Sequence, residues 1–446
     1  MKHILTTVAI AGACFLSAQA AAPAWLESDS ASAIDARIER DFTLSRADIV
    51  AQVKAKHPNV SDADIAAFEA QRYLEAMTIG GERRYFRKAA RNLELLYPEY
   101  NGHWQLRGGD ATPRDIAFVD SVLDWYRGSN DKGIAHKVTY RFRIDVPYHE
   151  ALAGDTLRVW MPYPLASQRQ SDIELLSASP SLKLISAAGQ SVHRSAYFEA
   201  PAPAPGDTAH FEYVATFVNH GEYFSPQRIL RDMLPYDTEG DLYKRYTAFE
   251  APHIVRLDSL ARAIVGEETN AFKQSELVYD YIVRRYPWAG AREYSTIPCI
   301  PQYVIEEGHG DCGQVSLLYI SLMRSLGVPA RWESGWMLHP GDKNLHDWAE
   351  VYFEGVGWVP VDVSFGRFTP AGDPAAVNFY STGMDAHRLA ANKGVCGQFY
   401  PPKKFVRSET VDAQMGEVEC SRGNVFYTYW DQELEIIDIH PITLKK

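Results

Sequence analysis

The spacing of apolar residues changes along this chain, and this change limits the folds that the chain can adopt. From Asp29 to about Asn130 the spacing is helical. Between Lys137 and Tyr223 apolar and polar residues alternate, with Pro and Gly in the intervals, as expected for short β-strands. Helical spacing returns at Ala251 to Val265 and at Phe272 to Tyr286. The sequence therefore predicts an α+β protein in which a helical region and a small β-sandwich precede a mixed region.

The first twenty residues have the parts of a secretory signal peptide. A basic start is followed by an apolar run from Ile4 to Leu16 and by the small-x-small cleavage site Ala18-Gln19-Ala20. The run is too short for a membrane-spanning helix, which needs about twenty apolar residues. Cys14 lacks the large aliphatic residue that usually precedes a lipid-attachment cysteine by three positions, so we expect cleavage near Ala20 rather than a lipoprotein. We expect a secreted or periplasmic protein with no integral membrane segment after signal removal.

Charge and ligand spacing argue against several partner classes. The formal net charge is −12, which disfavours nucleic acid or an anionic membrane as a main partner. The histidines His309, His339 and His346 show no paired spacing of the His-x-x-x-His or Cys-x-x-Cys kind that metal sites use. We therefore expect no metal and no other cofactor.

Cys312 stands at the predicted start of a helix. Gly327-Val328-Pro329 supplies the stop, and apolar residues recur between them at spacings of three and four, namely Val315, Leu318, Tyr319, Leu322 and Leu326. The free N–H groups and the positive end of a helix dipole favour a thiolate, which is the nucleophilic form. The sequence thus predicts a reactive thiolate at neutral pH, although a cysteine considered alone is more often a small buried hydrophobe.

Two predicted strands bring a histidine and an aspartate together. In His346 to Phe353 the histidine lies on the face opposite Ala349 and Val351, and Asp362 ends a second alternating stretch after a glycine turn. If the two apolar faces share one side of a hairpin, His346 and Asp362 lie opposite or one pair away diagonally, with Cβ atoms about 5–8 Å apart. A base held by a carboxylate near a thiol is what nucleophilic acyl transfer requires. We therefore predict Cys312 as nucleophile, His346 as base and Asp362 as its orienter.

Three blocks of sequence resemble the transglutaminase-like superfamily, in the form found in secreted bacterial members. They are Gly310-Asp311-Cys312-Gly313, Gly327 to Trp336, and His346 to Asp362. The resemblance covers roughly Asp237 to Phe368 and implies a papain-like α+β core, with the thiol on a helix packed against an antiparallel sheet that carries the histidine and the aspartate. A weaker similarity, over Val159 to Pro164, is to the β-domain that precedes this core in many bacterial relatives.

The sequence departs from the family pattern at two places. Asp347 follows the histidine where alanine is usual, and Val363-Ser364 follows the aspartate in place of Pro-Thr. Because strand alternation directs Asp347 to the face opposite His346, we expect only a modest effect on the pKa of the imidazole.

These features divide the chain into five predicted segments. They are a signal peptide (1–20), a helical N-terminal region (21–134), a β-sandwich domain (135–236), a transglutaminase-like catalytic core (237–369) and a C-terminal extension (370–446) to which the sequence assigns no role. In the extension we expect a disulfide between Cys396 and Cys420, which would spare the active thiol, while Cys299 stays free or competes for Cys312.

The resemblance implies a thioester acyl-enzyme, which water or an amine can resolve. We therefore favour a secreted cysteine hydrolase acting on peptide, protein or cell-wall-like amide bonds. A protein cross-linking transglutaminase and a non-catalytic binding module on the same fold are the alternatives. Trp336, Trp348 and Trp358 are candidates for substrate contacts, although aromatic residues in strands more often belong to a core.

Overall fold

The computed structural model describes residues 23–100, 111–127 and 134–442. The predicted signal peptide, including Cys14, lies outside the described residues. Among the helices in these three ranges, none combines the length and the apolar composition that a bilayer crossing needs. The mixture of helices and sheets confirms the predicted α+β class.

The N-terminal region is mainly helical and has its own apolar core. Side-chain capping explains where its helices begin, since Ser45 and Ser61 each form a reciprocal capping box with the aspartate three residues on. An unpredicted hairpin interrupts the region, because Gly80 and Gly81 adopt positive φ angles of 58° and 84° and turn the chain back on itself. The helices are α1 (Ser30–Asp41), α2 (Arg46–Lys56), α3 (Asp62–Ala70), α4 (Ala89–Leu96) and α5 (Pro113–Arg127); the strands are β1 (Leu26–Glu27), β2 (Ala76–Ile79) and β3 (Glu82–Tyr85).

Seven strands of alternating or apolar sequence follow. The longest pair, β4 and β9, runs antiparallel from Ala135 opposite His220 to Pro147 opposite Thr208. Buried residues alternate with partly exposed ones along β4, as expected for a strand with one face in a core. The strands are β4 (Ala135–Pro147), β5 (Thr156–Pro162), β6 (Gln170–Ser179), β7 (Leu184–Ile185), β8 (Ser195–Pro201), β9 (Thr208–His220) and β10 (Glu222–Tyr223).

The central part of the chain consists of helices that precede a three-stranded meander. Helix α11 lies against β12, and their contact faces belong to one apolar core that includes Val315, Ala349 and Val351. The helices are α6 (Pro226–Asp232), α7 (Asp241–Thr247), α8 (Asp258–Val265), α9 (Ala271–Arg285), α10 (Ile300–Glu307) and α11 (Cys312–Ser325); the strands are β11 (Ala330–His339), β12 (Asp342–Phe353) and β13 (Gly357–Val361).

The C-terminal extension adds strands to sheets formed earlier in the chain. Strand β15 extends the meander into a sheet of order β13-β12-β11-β15, and the last three strands complete the two sheets of the sandwich, β18-β4-β9-β6 and β1-β17-β16-β5-β8-β7. Its elements are α12 (Pro374–Val377), β14 (Gly383–Met384), β15 (Arg388–Asn392), β16 (Glu417–Glu419), β17 (Asn424–Val425) and β18 (Asp431–Ile442). The sandwich therefore draws on both ends of the described chain.

The expected disulfide between Cys396 and Cys420 is absent, and this prediction is wrong for the structure. All four cysteines in the described residues are free. Cys420 is buried in the sandwich core, whereas Cys396 packs against the core that surrounds α11. Because the two thiols belong to different cores, they do not form a disulfide in the structure. Cys299 is also free and lines a separate cavity from that of Cys312.

Candidate active site

Cys312 is the first residue of α11, as the sequence predicted. The side chain of Asp311 caps the helix by accepting from the backbone N–H of Gln314 at 3.0 Å, and the Gln314 side chain accepts from the Asp311 N–H at 3.1 Å. The hydroxyl of Tyr294 also donates to Asp311. This box fixes the entry of the chain into α11 and so positions the sulfur.

Gly313 is required by close packing inside the protein. A Cβ atom at this position would lie 2.5 Å from the hydroxyl oxygen of Tyr294 and 2.7 Å from Oδ2 of Asp347. No side chain fits at such distances, because non-bonded carbon and oxygen atoms pack at about 3.5 Å. The glycine after Cys312 therefore lets the start of α11 approach β12, which carries His346 and Asp347.

His346 and Asp362 meet by the diagonal pairing that the sequence allowed. Ala349 lies opposite Val361 in the β12–β13 ladder. This register places Ser364 opposite His346, so Asp362 is the next residue along on the same face. Nε2 of His346 and Oδ2 of Asp362 lie 2.7 Å apart. Both residues are buried, and Asp362 is fully so. The structure thus brings these two predicted site residues into a direct hydrogen bond.

Arg388 is a third member of this buried group and was not predicted. Its Nη1 donates to Oδ2 of Asp362 at 3.0 Å, and its other nitrogens donate to Oδ2 of Asp385 at 2.9 and 3.1 Å. Arg388 begins β15, so it reaches the site from the C-terminal extension. The motif blocks could not reveal it, because nothing in its local sequence distinguishes it from a surface arginine.

The electrostatics of the group leave the imidazole free to act as a base. Burial would raise the pKa of Asp362, but His346, Arg388 and the backbone N–H of Ser364 outweigh it and lower that pKa. Burial lowers the pKa of His346. The positive charge of Arg388 also lowers it, whereas the charge and hydrogen bond of Asp362 raise it. An ionised Asp362 only accepts, so Nε2 of His346 carries the proton and Nδ1 presents its lone pair.

The sulfur of Cys312 contacts Asp347 and not the imidazole in this structure. Sγ lies 3.2 Å from Oδ2 of Asp347, and no hydrogen bond among the described residues joins it to His346. Burial, followed by the charges of Asp347 and Asp311, raises the pKa of the Cys312 thiol well above its ordinary value. In this conformation burial and the neighbouring carboxylates thus disfavour the thiolate, and the predicted reactivity of Cys312 at neutral pH stays a prediction.

Asp347 does lie on the face opposite His346, as predicted, but that face is the one against which α11 packs. A loop of the C-terminal extension holds it there. Nε2 of Gln414 donates to Oδ1 of Asp347 at 2.7 Å and to the backbone carbonyl of His346 at 3.0 Å. Burial, together with the neighbouring carboxylates Asp412 and Asp311, raises the pKa of Asp347 well above the ordinary range. The neighbour of the histidine thus acts on the thiol rather than on the imidazole.

Cys312 and His346 line the same cleft, which has a volume of about 500 Å³. Its walls come from three parts of the chain. The N-terminal region contributes Lys88 and Arg91, the segment before α10 contributes Trp288, and the β11–β12 hairpin contributes Met337, Asp342, Asn344 and Leu345. Phe365 closes the cleft behind His346, with ring centroids 5.3 Å apart. Trp288 is 40% exposed, so an aromatic face is available to a ligand.

The three tryptophans predicted for substrate contacts are not among the described residues that line this cleft. Trp348 is fully buried and donates to Glu333 at 2.8 Å. Trp336 belongs to the sandwich core and donates to the carbonyl of Gln414 at 3.0 Å. Trp358 is half-buried beneath the guanidinium of Arg331, 3.7 Å from its ring centroid. The rings therefore lie away from this cleft, and their contact with a substrate stays a prediction.

Comparison with known proteins agrees with the geometry. Residues 258–363 match the family model of the transglutaminase-like superfamily. These residues contain α11, β12 and β13, together with the predicted site residues. The catalytic roles of Cys312, His346 and Asp362 stay predictions.

Two curated relatives share this part of the chain. The uncharacterised protein YebA of Bacillus subtilis (strain 168) is 30% identical over 135 residues, which cover 26% of this chain and 18% of YebA. An uncharacterised protein of Haemophilus influenzae is 28% identical over 142 residues, which cover 25% of this chain and 37% of that protein. The match thus spans well under half of either relative.

One solved structure resembles a larger part of the chain. A candidate cysteine protease from Cytophaga hutchinsonii has 16% sequence identity and a TM-score of 0.45, over 71% of this chain and 95% of that one. The order of sequence blocks, the α11–β12 packing and the family match all lie in one segment. Residues 258–363 are therefore the part of the chain that is similar to the transglutaminase-like superfamily.

Proposed function

We propose that the protein is a cysteine-dependent hydrolase of peptide or related amide bonds, with Cys312 as nucleophile, His346 as base and Asp362 as its orienter. The observation that carries the proposal is the 2.7 Å hydrogen bond between His346 and Asp362, made in the cleft that also contains Cys312. A base fixed in one tautomer beside a thiol at a helix start is the arrangement that nucleophilic acyl transfer needs. The features of residues 1–20 support the further proposal that the protein is exported.

The reaction proceeds through a thioester. Nδ1 of His346 takes the proton of the Cys312 thiol as the sulfur attacks the carbonyl carbon of the amide. The C–N bond then breaks, and the imidazolium returns the proton to the departing amine. Water attacks the thioester while His346 takes a proton from that water, the C–S bond breaks to release the carboxylic acid, and the imidazolium returns its proton to the sulfur of Cys312. Asp362 stabilises the imidazolium in both halves of the reaction.

The proposed steps require the side chain of Cys312 to change its direction first. Sγ of Cys312 is directed to Asp347, so the sulfur has to turn toward Nδ1 of His346 before it loses its proton. The raised pKa of Asp347 keeps that carboxyl protonated more readily than an exposed aspartate. Because the pKa of the Cys312 thiol is raised, transfer of its proton to His346, and not loss to solvent, activates the sulfur.

The experiment tests for acylation of Cys312 and for the fate of the acyl group. The wild-type protein is incubated with acetylated peptide amides and cell-wall fragments, with and without a millimolar primary amine, and products and the Cys312 peptide are measured by mass spectrometry. We expect free acid as the main product with the wild type and with Cys299→Ala, and none with Cys312→Ala. Asp362→Asn is expected to lower kcat sharply; the corresponding change in a serine triad lowers it by about 10⁴.

Two results would overturn the proposal. Predominance of the amine adduct over free acid would indicate a transglutaminase. Absence of any acyl-enzyme over the whole panel, with activity-based thiol probes unable to label Cys312, would indicate a binding module on the same fold.

A further inference from the structure

One wall of the cleft around Cys312 is basic, and it comes from outside the core sheet. Lys88 and Arg91, in and just before the first turn of α4, line the same cleft as Cys312 and His346. Lys88 also lines the neighbouring cavity on the other side of Asp311 and Asp347. The N-terminal helical region therefore presents two cations to the place where a substrate would lie.

Neither cation is used in holding the fold together. Among the described residues, no hydrogen bond or ion pair engages the side chain of Lys88 or of Arg91, whereas the adjacent Arg87 pairs with Asp41 at 2.9 Å. Lys88 is half-buried, with its aliphatic stem against Gly290, so its ammonium is confined to the cleft wall. Burial, with the charges of Arg87 and Arg91, lowers the pKa of Lys88, which an anion placed beside it would reverse.

The N-terminus of α4 adds to the positive charge of this wall. Lys88 is the N-cap residue of α4, and no side chain caps that terminus. The positive end of the helix dipole therefore lies beside the two cations without a side chain to cap it. The chain as a whole carries −12, so a basic wall at this cleft does not follow from the average composition.

Asp311, Asp342 and Asp347 share the cleft with these cations, and the charge of Asp311 acts on Lys88, but each of the three carboxylates is engaged elsewhere or lies on a different wall. Asp311 serves as the helix cap for α11 and accepts from Tyr294. Asp347 is held by Gln414 and has a raised pKa, because it is buried beside other acids. Asp342 is exposed at the β11–β12 turn, on the hairpin that forms a different wall. The positive charges thus face the open volume of the cleft.

We propose that Lys88 and Arg91 form an anion-binding subsite that selects peptides with a carboxylate close to the scissile amide. This inference rests on the proposed hydrolase function, and it names the substrate class of that site as acidic peptides. A carboxylate from a side chain or a chain end would pair with the two cations, and Trp288 would contact the apolar part of the same substrate. Binding at this wall holds the amide next to Cys312.

The first test compares two alkylating agents that differ in charge. Iodoacetate and iodoacetamide are reacted with the full chain at pH 9 and low salt, and modification of the Cys312 peptide is followed by mass spectrometry. The rate with iodoacetate divided by the rate with iodoacetamide cancels any change in the reactivity of the thiol. We expect the ratio to fall about fivefold in the double variant Lys88→Gln/Arg91→Gln, from the loss of charge near the sulfur, and to fall in the wild type when salt is added.

The matched control is Arg46→Gln/Lys54→Gln. It removes two cations from α2 in the same helical region, at positions that already pair with Glu69 and Asp62. An unchanged ratio in the Lys88/Arg91 variant, or an equal fall in the control, would overturn the inference, since the effect would then be absent or one of overall charge.

The second test does not depend on a reactive thiol. Cys312→Ala protein is titrated with acetylated, amidated pentapeptides that carry Glu or Gln at each position in turn. We expect at least one Glu peptide to bind about fivefold more tightly than its Gln counterpart, and this preference to vanish when Lys88 and Arg91 are replaced by Gln. Equal binding of all Glu and Gln pairs overturns the subsite. If Cys312 is inert in every assay but the preference is present, the hydrolase proposal fails and the anion site stands.

Discussion

At the scale of single residues, Asp347 determines the state of the thiol. Its Oδ2 lies 3.2 Å from the Cys312 sulfur, and a hydrogen bond from a thiol stabilises the protonated form. We expect Asp347→Ala, which restores the residue usual in the family, to raise the rate of Cys312 alkylation by iodoacetamide at pH 7.5 about fivefold, because both the acceptor and its charge are removed. Peptide mass spectrometry measures the rate.

The control for this prediction is Asp342→Ala. Asp342 lines the same cleft but is exposed at the hairpin turn, so we expect its removal to leave the rate close to that of the wild type. Equal acceleration by both variants would show that net charge, and not the contact with the sulfur, governs the reactivity of Cys312.

Arg388 sets the pH at which the base becomes available. Burial and the charge of Arg388 lower the pKa of His346, so the imidazole is already neutral below the pH at which an exposed histidine loses its proton. Activity that requires neutral His346 should therefore rise with pH through an apparent pKa below 6.5. Arg388→Met removes one of the causes that lower the pKa of His346, so the pH at which kcat/KM rises should move upward.

The conservative variant Arg388→Lys tests the cause of this shift. It retains a positive charge near Asp362 and Asp385, so its acid limb should stay nearer to that of the wild type. If Arg388→Met and Arg388→Lys both leave the limb in place while activity falls, then Arg388 has only a structural role.

At the scale of secondary structure, the β11–β15 contact depends on a glycine. Gly335 lies opposite Ala390, and a Cβ atom at position 335 would overlap the backbone carbonyl of Leu389. We expect Gly335→Ala to lower the free energy of unfolding by about 1–3 kcal/mol, the usual range for overpacking. Gly290→Ala is the control, because the atoms nearest to its new Cβ belong to side chains and not to backbone, with Cδ of Lys88 at 3.2 Å and Oδ1 of Asn92 at 3.3 Å. Chemical denaturation compares the two, and equal losses would contradict the argument.

The sequence was sufficient to predict those elements that depend on the pattern of neighbouring residues. The start of α11 at Cys312 follows from apolar spacing, and the meeting of His346 with Asp362 follows from alternation in two adjacent strands. Arg388, Gln414 and the basic wall could not be found in this way. Their contacts cross from the extension and the helical region to the core, and no local pattern encodes such distant pairings.

The direction of the thiol was also beyond sequence reasoning. A helix start favours a thiolate, and strand alternation correctly directs Asp347 away from His346. Only the packing of α11 on that same face of β12 reveals that the carboxyl then meets Cys312. The effect of Asp347 was assigned to the wrong partner, because the position of a helix over a sheet is a tertiary property.

At the scale of the whole molecule, Arg37 joins four parts of the chain. It makes a two-point ion pair with Glu27 at 2.6 and 3.1 Å, donates to the hydroxyl of Ser295 at 2.9 Å and donates to the carbonyl of Arg407 at 2.9 Å. Arg37 is only 1% exposed. We expect Arg37→Met to lower the free energy of unfolding by about 3–5 kcal/mol, because buried Glu27 loses its nearer charged partner and keeps only the more distant Arg40, at 3.6 Å.

A surface arginine of the same region provides the comparison. Arg46 pairs with Glu69 but its side chain is 47% exposed, so Arg46→Met should change the unfolding free energy by less than about 1 kcal/mol. Thermal unfolding and limited proteolysis measure both variants. Equal stability of the two would show that the N-terminal region is attached by its apolar contacts and not through Arg37.

The pairing of β1 with β17 has a consequence for the order of folding. Asn424 donates to Glu27 at 2.9 Å across 397 positions of the sequence, so this contact closes a loop that is nearly the length of the chain. Long loops close late, since their entropy has to be lost before the contact forms. During synthesis β1 is made near the start of the chain, whereas its partner β17 is made near the end. The cleft, which needs α4, the β11–β12 hairpin and the Gln414 loop together, is therefore finished only when the whole chain is available.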